Sequence, residues 1–338
     1  MTAREHLLQQ FVAAAGWDAA QRGPLAGDAS NRRYERLIHP QLGRAVLMDA
    51  PPQSGEDTRP FIHIAEHLRS LGFSAPAILA RDTENGFLLL EDLGDTLYAR
   101  IIQQQPALET ALYEAATDVL AALHLHPAPA GLPAYDTALM TDLAALPFEW
   151  YLTGSDQAAT PTQETAFRAA MRAVLDRYAS AQDVMIQRDY HAENLLWLPK
   201  RDGLARVGLL DFQDAMAGHR AYDLVSILED ARRDVPRDLQ DQMLDRYVAK
   251  TGVDEQQFRA AYSVLGAQRN LRIIGVFARL CIRDGKPHYL EFLPRVWAHL
   301  QHDLSHPALT ELRKTLDCLP APTAEILARI AEKCAQRP

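Results

Sequence analysis

The apolar pattern of this chain changes near residue 94, and that change constrains the fold more than any other feature. Before it, RRYERLI (32–38) and GRAVLMDAP (43–51) are alternating or β-branched runs joined by turn residues, which predicts paired strands. FIHIAEHLRSLG (61–72) has the three- and four-residue apolar spacing of a helix. ILARDTENGFLLLEDLGD (78–95) predicts a strand, an Asn-Gly turn and a second strand. Residues 1–94 are therefore expected to form a small sheet lobe with one helix.

The remainder of the chain, residues 95–338, is mainly helical in pattern. The 3.6-residue period runs through 109–126, 163–179 and 237–252. Only the short β-like runs DVMIQRD, NLLWLP and ARVGLLDF interrupt it. The sequence thus predicts an α+β protein with two lobes, a small antiparallel-sheet lobe and a larger helical one. Ligands favour the cleft that such a joint creates.

Bulk properties exclude several classes of function. The chain has 338 residues and a formal net charge of -9, which argues against a nucleic-acid binder with a basic face. Its three cysteines show no CxxC spacing, as expected of a protein in the reducing cytoplasm. No run of roughly 18 apolar residues is present, and the N-terminal segment resembles an amphipathic helix more than a signal peptide. We therefore expect a cytoplasmic globular protein without a membrane or nucleic-acid partner.

The densest polar segment is QRDYHAENLLWLP (187–199), in which Asp189 and Asn194 lie five residues apart. Seventeen residues after Asn194, Asp211 ends another apolar run in GLLDFQD (208–214). Phosphoryl transfer from ATP needs one carboxylate to orient the attacking hydroxyl, and an amide and a second carboxylate to hold Mg²⁺. The spacing matches the kinase pattern D-x-x-x-x-N followed by D-F-G. Asp189 is the candidate catalytic residue, and Asn194 and Asp211 are the candidate metal ligands.

These motifs resemble those of the aminoglycoside phosphotransferase family, small-molecule kinases with a protein-kinase-like fold. RDYHAENLLW resembles the family's catalytic loop, with Gln187 where a histidine is usual, and LLDFQDA resembles its metal-binding segment. The resemblance implies ATP and Mg²⁺ as cofactors, and it implies that the backbone of Glu91, Asp92 and Leu93 pairs with adenine.

A narrower resemblance lies in the small lobe. LAGDASNRRYERL (25–37) and VLMDAPP (46–52) are similar to segments of the anomeric kinases of N-acetylmuramate and N-acetylglucosamine. This implies a sugar as the small-molecule partner, phosphorylated at its anomeric hydroxyl during cell-wall recycling. Kinases of another small alcohol, such as an aminoglycoside or an amino alcohol, remain an alternative.

One departure from the kinase pattern concerns the phosphate-binding lysine of the third strand. Met48 occupies that position here, so a non-catalytic pseudokinase is a second alternative. Arg32 and Arg33, beside the turn at 27–31, are the candidates for the missing positive charge. Glu66 occupies the position of the glutamate that pairs with this lysine in kinases. Without the lysine, Glu66 is expected either to pair with an arginine or to be solvated.

Two further residues near the catalytic motifs are expected to be structural. His191 is expected to hold the turn of the loop, and Asp223, in the helix after the metal-binding segment, resembles a family position that braces the catalytic loop.

An arginine stripe lies in QRNLRIIGVFARLCIRDG (268–285). At 100° per residue the four arginines fall within a sector of roughly 80° on one helix face. They are Arg269, Arg272, Arg279 and Arg283. Internal pairing, with Asp223, Glu229 or Asp230 as partners, is one interpretation. The other is that at least one arginine reaches the acceptor and pairs with the lactyl carboxylate of N-acetylmuramate.

Overall fold

The protein is described from a computed structural model that covers residues 2–25 and 31–334. The strands are β1 (Gln21–Pro24), β2 (Arg33–His39), β3 (Gly43–Asp49), β4 (Ile78–Asp82), β5 (Phe87–Glu91), β6 (Val184–Ile186), β7 (Leu195–Trp197), β8 (Val207–Leu209) and β9 (Met216–Gly218). The first eight helices are α1 (Ala3–Ala14), α2 (Arg59–Ser70), α3 (Tyr98–Gln104), α4 (Glu109–Leu123), α5 (Thr137–Ala144), α6 (Leu146–Glu149), α7 (Tyr151–Gly154) and α8 (Pro161–Tyr178). The others are α9 (Tyr222–Leu228), α10 (Arg237–Thr251), α11 (Glu255–Asp284), α12 (Leu293–Asp303), α13 (Thr310–Lys314) and α14 (Ala324–Cys334).

The chain divides into two compact units. The first contains the described residues of 1–119 together with Ala192–Ala215, and the second contains Leu120–His191 and the described residues from Met216 onward. The boundary expected at residue 94 falls inside the first unit, and the assignment of a nucleotide-binding and an acceptor-binding segment on either side of it stays a prediction. The α+β class with an antiparallel sheet is confirmed.

The sheet of the first unit has the order β1-β2-β3-β5-β4, with every pairing antiparallel. Successive side chains of a strand point to opposite faces. Leu47 and Leu89 are cross-strand partners that belong to a buried cluster with Leu8 and Phe11 of α1. Helix α1 therefore covers this face. The opposite face carries Val46 and its neighbours on β2 and β5.

The predicted turn between β4 and β5 depends on Gly86. Its φ is +74°, and a Cβ built there would lie 1.9 Å from the carbonyl oxygen of Ala50. The Gly86 carbonyl also accepts a hydrogen bond from the Ala50 N–H at 2.9 Å. A side chain at this position would collide with backbone, so the close approach requires glycine.

The β7–β8 hairpin also belongs to the first unit. Gly208 pairs with Ser74, and Leu196 pairs with Leu97 just before α3. Phe212, which follows β8, stacks on Phe61 of α2 with ring centroids 5.0 Å apart. Helix α2 and the hairpin are thereby tied to the same core.

The second unit is organised around α11, a helix of 30 residues. Its N-cap is Asp254, whose side chain accepts a hydrogen bond from the Gln257 N–H, and its C-cap is Gly285 in the left-handed conformation. Helices α5, α6, α8, α9, α12 and α14 all pack against it. Among the described residues, none of the helices combines the length and apolar character needed to cross a membrane.

A pair of buried acids joins α11 to its neighbours. The Asn270 amide donates to Glu229 Oε2 at 2.7 Å and to Asp303 Oδ2 at 3.0 Å, and all three side chains are fully buried. Burial raises the pKa of Glu229, and burial and the Glu229 carboxyl raise the pKa of Asp303 well above its usual range. The folded state therefore holds protons that the unfolded chain would release above about pH 4.

Because of Glu229 and Asp303, we expect the folded state to become less stable as the pH rises. Raised pKa values stabilise the folded state fully below the unfolded values near 4, and this stabilisation is lost as the pH rises through the folded values. Glu229→Gln removes one acid, so its free energy of unfolding should fall measurably less between pH 5 and pH 8 than that of the wild type. Urea denaturation at both pH values measures this, with the exposed Glu325→Gln as the control. An equal pH dependence in Glu229→Gln and wild type would contradict the prediction.

Candidate active site

The segment before Asp189 is held in place by Asp223 of α9. The Asp223 carboxylate accepts hydrogen bonds from the backbone N–H groups of Gln187 and Arg188, at 2.6 and 2.9 Å. The Ser226 hydroxyl, one turn further along α9, donates to the Arg188 carbonyl oxygen at 3.1 Å. These contacts confirm the bracing contact predicted for Asp223.

Backbone strain is present at the same place. Arg188 has a φ of +70°, in the left-handed region that residues other than glycine rarely adopt. The Arg188 N–H donates to Asp223 and the Arg188 carbonyl oxygen accepts from Ser226, and these two hydrogen bonds stabilise the conformation. Asp189, the next residue, is half-buried. Strain of this kind is concentrated at functional sites.

Burial sets the protonation of the groups around this loop. It raises the pKa of Asp223 to about 7, while the two backbone N–H donors oppose the rise because they favour the carboxylate. It lowers the pKa of His191 to about 4, so that the imidazole is neutral at pH 7. A buried neutral histidine fits the structural role predicted for His191.

Asn194 and Asp211, in the first unit, are brought together by the β7–β8 hairpin. Asn194 immediately precedes β7 and Asp211 follows β8 by two residues, and the Leu210 N–H donates to the Asn194 carbonyl oxygen at 3.0 Å. The Asn194 amide donates to Asp211 Oδ2 at 3.3 Å, and the Gln213 amide donates to Asp211 Oδ1 at 2.6 Å. Asp211 itself has a φ of +57°. The hairpin and the left-handed turn together aim the carboxylate at the amide.

The side-chain oxygens of Asn194 and Asp211 suit a hard cation whose remaining coordination positions are filled by a bound ligand. Amide and carboxylate oxygens are the groups that bind Mg²⁺, which usually takes one or two carboxylates and keeps waters or substrate phosphates. In the described part of the chain, no three His, Cys, Asp or Glu side chains gather as a metal cage. Asn194 and Asp211 therefore fit a metal that arrives with an anionic ligand.

A cavity of about 580 Å³ opens beside these two residues, and the residues that line it belong to the first unit. One wall is the open face of the sheet, where the cross-strand neighbours Val46 and Leu90 lie. Leu196 of β7 and Leu210, which follows β8, also line the cavity. An apolar slot of this kind suits a flat ring, and its volume is in the range of small-molecule sites.

The charges of the cavity are mostly negative. Among the described residues that line it, the acids are Glu91, Asp92, Asp95, Glu193 and Asp211, and the bases are Arg36 and Arg100. Arg36 lies on β2, with its guanidinium bonded to Asp92 at 2.8 Å and to Asp95 at 2.8 and 2.9 Å. These two acids raise the pKa of Arg36.

Sequence reasoning missed Arg36, although a signal was present. Tyr34 and Arg36 are two residues apart on a strand and so share a face, and their cross-strand partners are Met48 and Val46. All four line the cavity. Once Met48 is assigned to the ligand-facing side of β3, the pairing of β2 with β3 identifies Arg36 as the cation on that side.

The two arginines favoured by sequence lie elsewhere. Arg32 pairs with Glu56, with Nε and Oε2 2.7 Å apart, and Arg33 is exposed at the start of β2. Within the described residues, neither lines the cavity. Most of the turn at 27–31 lies outside the described residues. A phosphate-binding role for Arg32 or Arg33 stays a prediction.

Glu66 pairs with Arg81 at an exposed position. It thus holds an arginine, which was one of the two outcomes open for this residue.

Some polar groups of the segment 91–93, which is predicted to bind adenine, already form hydrogen bonds or ion pairs within the protein. The Glu91 N–H donates to the Ala77 carbonyl oxygen at 2.8 Å, and the Glu91 carboxylate accepts hydrogen bonds from Arg201 and from the Ala77 N–H. The Asp92 side chain pairs with Arg36. Glu91, Asp92 and Leu93 all line the cavity, and a role of their backbone groups in binding adenine stays a prediction.

The arginines of the stripe have different surroundings in the second unit. Arg269 donates to the Ser226 hydroxyl at 3.0 Å and to the Glu229 carbonyl oxygen at 3.2 Å, so it is bonded internally, but through a hydroxyl and a backbone carbonyl and not through the predicted acidic side chains. Arg283 is exposed and pairs with Asp284. Arg272 donates to the Tyr222 hydroxyl at 2.9 Å.

Comparison with known proteins gives a consistent result. Residues 22–262 match the model of a family described as the phosphotransferase enzyme family. The chain is 40% identical to the N-acetylmuramate/N-acetylglucosamine kinase of Caulobacter vibrioides, over 93% of this chain and 96% of the relative. It is 36% identical to the kinase of the same name from Pseudomonas aeruginosa, over 93% of this chain and 94% of the relative.

Two solved structures share the fold at low sequence identity. A choline/ethanolamine kinase family protein from Mesorhizobium loti has a TM-score of 0.61 at 14% identity, covering 97% of this chain and 99% of that one. The ADP-bound aminoglycoside phosphotransferase APH(2'')-Ib has a TM-score of 0.60 at 13% identity, covering 89% of this chain and 97% of that one.

Proposed function

Because this chain belongs to the phosphotransferase enzyme family, we propose that it is an ATP-dependent kinase that phosphorylates the anomeric hydroxyl of N-acetylmuramate and N-acetylglucosamine. The observation that carries the proposal is the similarity, along nearly the whole chain, to two bacterial kinases of these sugars. The fold is shared with kinases of other small alcohols, so the fold alone does not select the acceptor.

The cavity of the first unit is proposed as the nucleotide site. Its apolar lining, which includes Val46, Leu90, Leu196 and Leu210, suits the faces of an adenine ring. Leu93 supplies backbone groups at the edge of the slot. Hydrogen bonds from backbone to the ring edge would fix its orientation, as is usual in sites with few polar groups.

The charge of the cavity supports Mg²⁺ as the partner of ATP. Five acids face two arginines among the described lining residues, so a triphosphate without a cation would be repelled. Asn194 and Asp211 are the proposed metal ligands, and Gln213 fixes the Asp211 carboxylate. Bound Mg²⁺ would neutralise the phosphate oxygens during transfer.

Asp189 is proposed to orient the acceptor hydroxyl and to accept its proton. An anomeric hydroxyl is more acidic than an ordinary alcohol, so a carboxylate is a sufficient base. Most of the rate would come from positioning and from fixed charges around the transferred group. The bracing of the preceding backbone by Asp223 serves this positioning.

Phosphate transfer from Mg-ATP to a panel of acceptors tests the proposal. The panel contains N-acetylmuramate, N-acetylglucosamine, an aminoglycoside, choline and ethanolamine, and the position of the phosphate on the product is read by ³¹P NMR. We expect sugar 1-phosphates from the two amino sugars. Turnover confined to the amino alcohols or the aminoglycoside would overturn the sugar assignment, and no turnover on any acceptor would favour the pseudokinase.

Arg36 gives a prediction about ATP binding. Arg36→Gln leaves Asp92 and Asp95 without their cation beside the triphosphate, so the KM for ATP should rise by roughly tenfold, in line with a lost charge-assisted contact. Arg33→Gln is the matched control on the same strand and tests the residue favoured by sequence. Initial rates at varied ATP measure both, with thermal melts to confirm folding. A higher KM in Arg33→Gln and a normal one in Arg36→Gln would reverse the assignment.

A further inference from the structure

Arg272 is a half-buried cation without an acidic partner. In the described part of the chain its guanidinium donates to the Tyr222 hydroxyl at 2.9 Å and forms no ion pair with a carboxylate. The other stripe arginines that contact protein groups, Arg269 and Arg283, are bonded to Ser226 and to Asp284. A guanidinium removed from much of the solvent is expected to have an anion or several acceptors. One hydroxyl satisfies one of its five N–H groups.

The surroundings of Arg272 are rigid and are linked to the catalytic loop. Tyr135 and Tyr222 are fully buried and meet edge to face, with ring centroids 4.9 Å apart. The Arg188 guanidinium lies over the Tyr135 ring, 5.8 Å from its centroid. Tyr222 is followed by Asp223, which holds the backbone just before Asp189. The position of Arg272 relative to that loop is therefore fixed by buried contacts.

The electrostatic surroundings of Arg272 include the same two tyrosines and the catalytic loop. The pKa of Arg272 is raised by Tyr222 first, and then by Tyr135 and the Asp189 carboxylate, against the opposing effect of desolvation. The Asp189 carboxylate thus belongs to the electrostatic surroundings of Arg272. Both residues belong to the second unit.

We propose that Arg272 binds the carboxylate of an anionic acceptor, namely the lactyl group by which N-acetylmuramate differs from N-acetylglucosamine. This inference rests on the proposed function and names the residue that selects between its two sugars. The planar fork of a guanidinium can bind a carboxylate through two hydrogen bonds, and the contact with Tyr222 leaves N–H groups for that purpose. A site for a polycationic acceptor would have acids at this place instead.

The test compares three acceptors with three variants. The acceptors are N-acetylmuramate, its uncharged carboxamide and N-acetylglucosamine. The variants are Arg272→Gln, Arg272→Lys and Arg279→Gln, the last on the same helix two turns away. In Arg272→Gln we expect kcat/KM for N-acetylmuramate to fall about ten- to hundredfold relative to that for N-acetylglucosamine, mainly through KM. Arg272→Lys should lose less, and Arg279→Gln should keep the wild-type ratio.

The carboxamide sugar makes the test independent of folding of the variants. Wild-type enzyme should use the carboxamide less well than the acid, and Arg272→Gln should use the two about equally. Equal use of acid and carboxamide by the wild type would overturn the inference. So would an equal loss for all three acceptors in Arg272→Gln, since that is the signature of a structural role or of an effect on Asp189 alone.

The outcomes separate this inference from the proposed function. Wild-type turnover of both sugars with an unchanged ratio in Arg272→Gln would leave the sugar kinase standing and remove Arg272 as its selector. If the ratio of kcat/KM for the two sugars changed in Arg279→Gln and not in Arg272→Gln, then Arg279 would be the residue that binds the carboxylate, and the inference about Arg272 would be wrong. Absence of wild-type turnover on either sugar would overturn the proposed function itself, and the inference with it.

Discussion

Asp189→Asn is expected to lower kcat by about two to four orders of magnitude, the range found for positioned acid–base groups. The amide keeps the size of the side chain and the bracing of the backbone by Asp223, but it cannot accept the proton of the acceptor hydroxyl. Nucleotide affinity should remain close to that of the wild type, because Asp189 is not among the described residues that line the proposed nucleotide cavity. Single-turnover kinetics and calorimetric titration with ATP and Mg²⁺ measure the two effects separately.

Asp176→Asn is the matched control for this variant. Asp176 is an exposed residue of α8, and the same change of charge there should leave kcat and nucleotide affinity unaltered. Unchanged turnover in Asp189→Asn would remove Asp189 from the mechanism. A loss of ATP affinity as large as the loss of kcat would indicate instead that the substitution disturbs the whole loop.

The strands and helices that sequence predicted well are those with a strong period. RRYERLI and GRAVLMDAP form the antiparallel pair β2 and β3, and the three long helical patterns correspond to α4, α8 and α10. Strand β1 was missed because QRGP contains both glycine and proline, which are depleted in strands. Its place at the edge of the sheet explains why proline is tolerated there.

The candidate site was predictable where it depends on local spacing. Asn194 and Asp211 meet because each adjoins one strand of a hairpin, and the apolar runs of that hairpin are visible in the sequence. Arg36 was not recognised because its role depends on which face of β2 meets the cavity, and that is set by strand pairing. The sequence could not show which groups the four arginines of the stripe contact, for a similar reason. A helical wheel gives the direction of a side chain but not the element that it meets, so Arg269 and Arg272 could not be told apart.

Asp211→Ala should change the way in which Mg²⁺ affects nucleotide binding. In the wild type, Asn194 and Asp211 are the proposed metal ligands, so Mg²⁺ should tighten ATP binding. Loss of the carboxylate should weaken ATP binding in the presence of Mg²⁺ by at least about tenfold, which is the lower range for residues that support a metal site. Asp214→Ala, an exposed acid three residues further on, is the control with the same change of charge.

Without Mg²⁺, Asp211→Ala should no longer weaken ATP binding and could strengthen it. The cavity carries five acids against two arginines among the described residues, so metal-free ATP meets net repulsion in the wild type. Removing the Asp211 carboxylate lowers that repulsion, and in EDTA the variant should bind ATP as well as the wild type or better. Calorimetric titrations with Mg²⁺ and with EDTA give both affinities without relying on turnover. A variant that binds ATP more weakly in both conditions would show that Asp211 shapes the cavity and does not hold a metal, whereas a loss confined to Mg²⁺ is what a ligand of the cation requires.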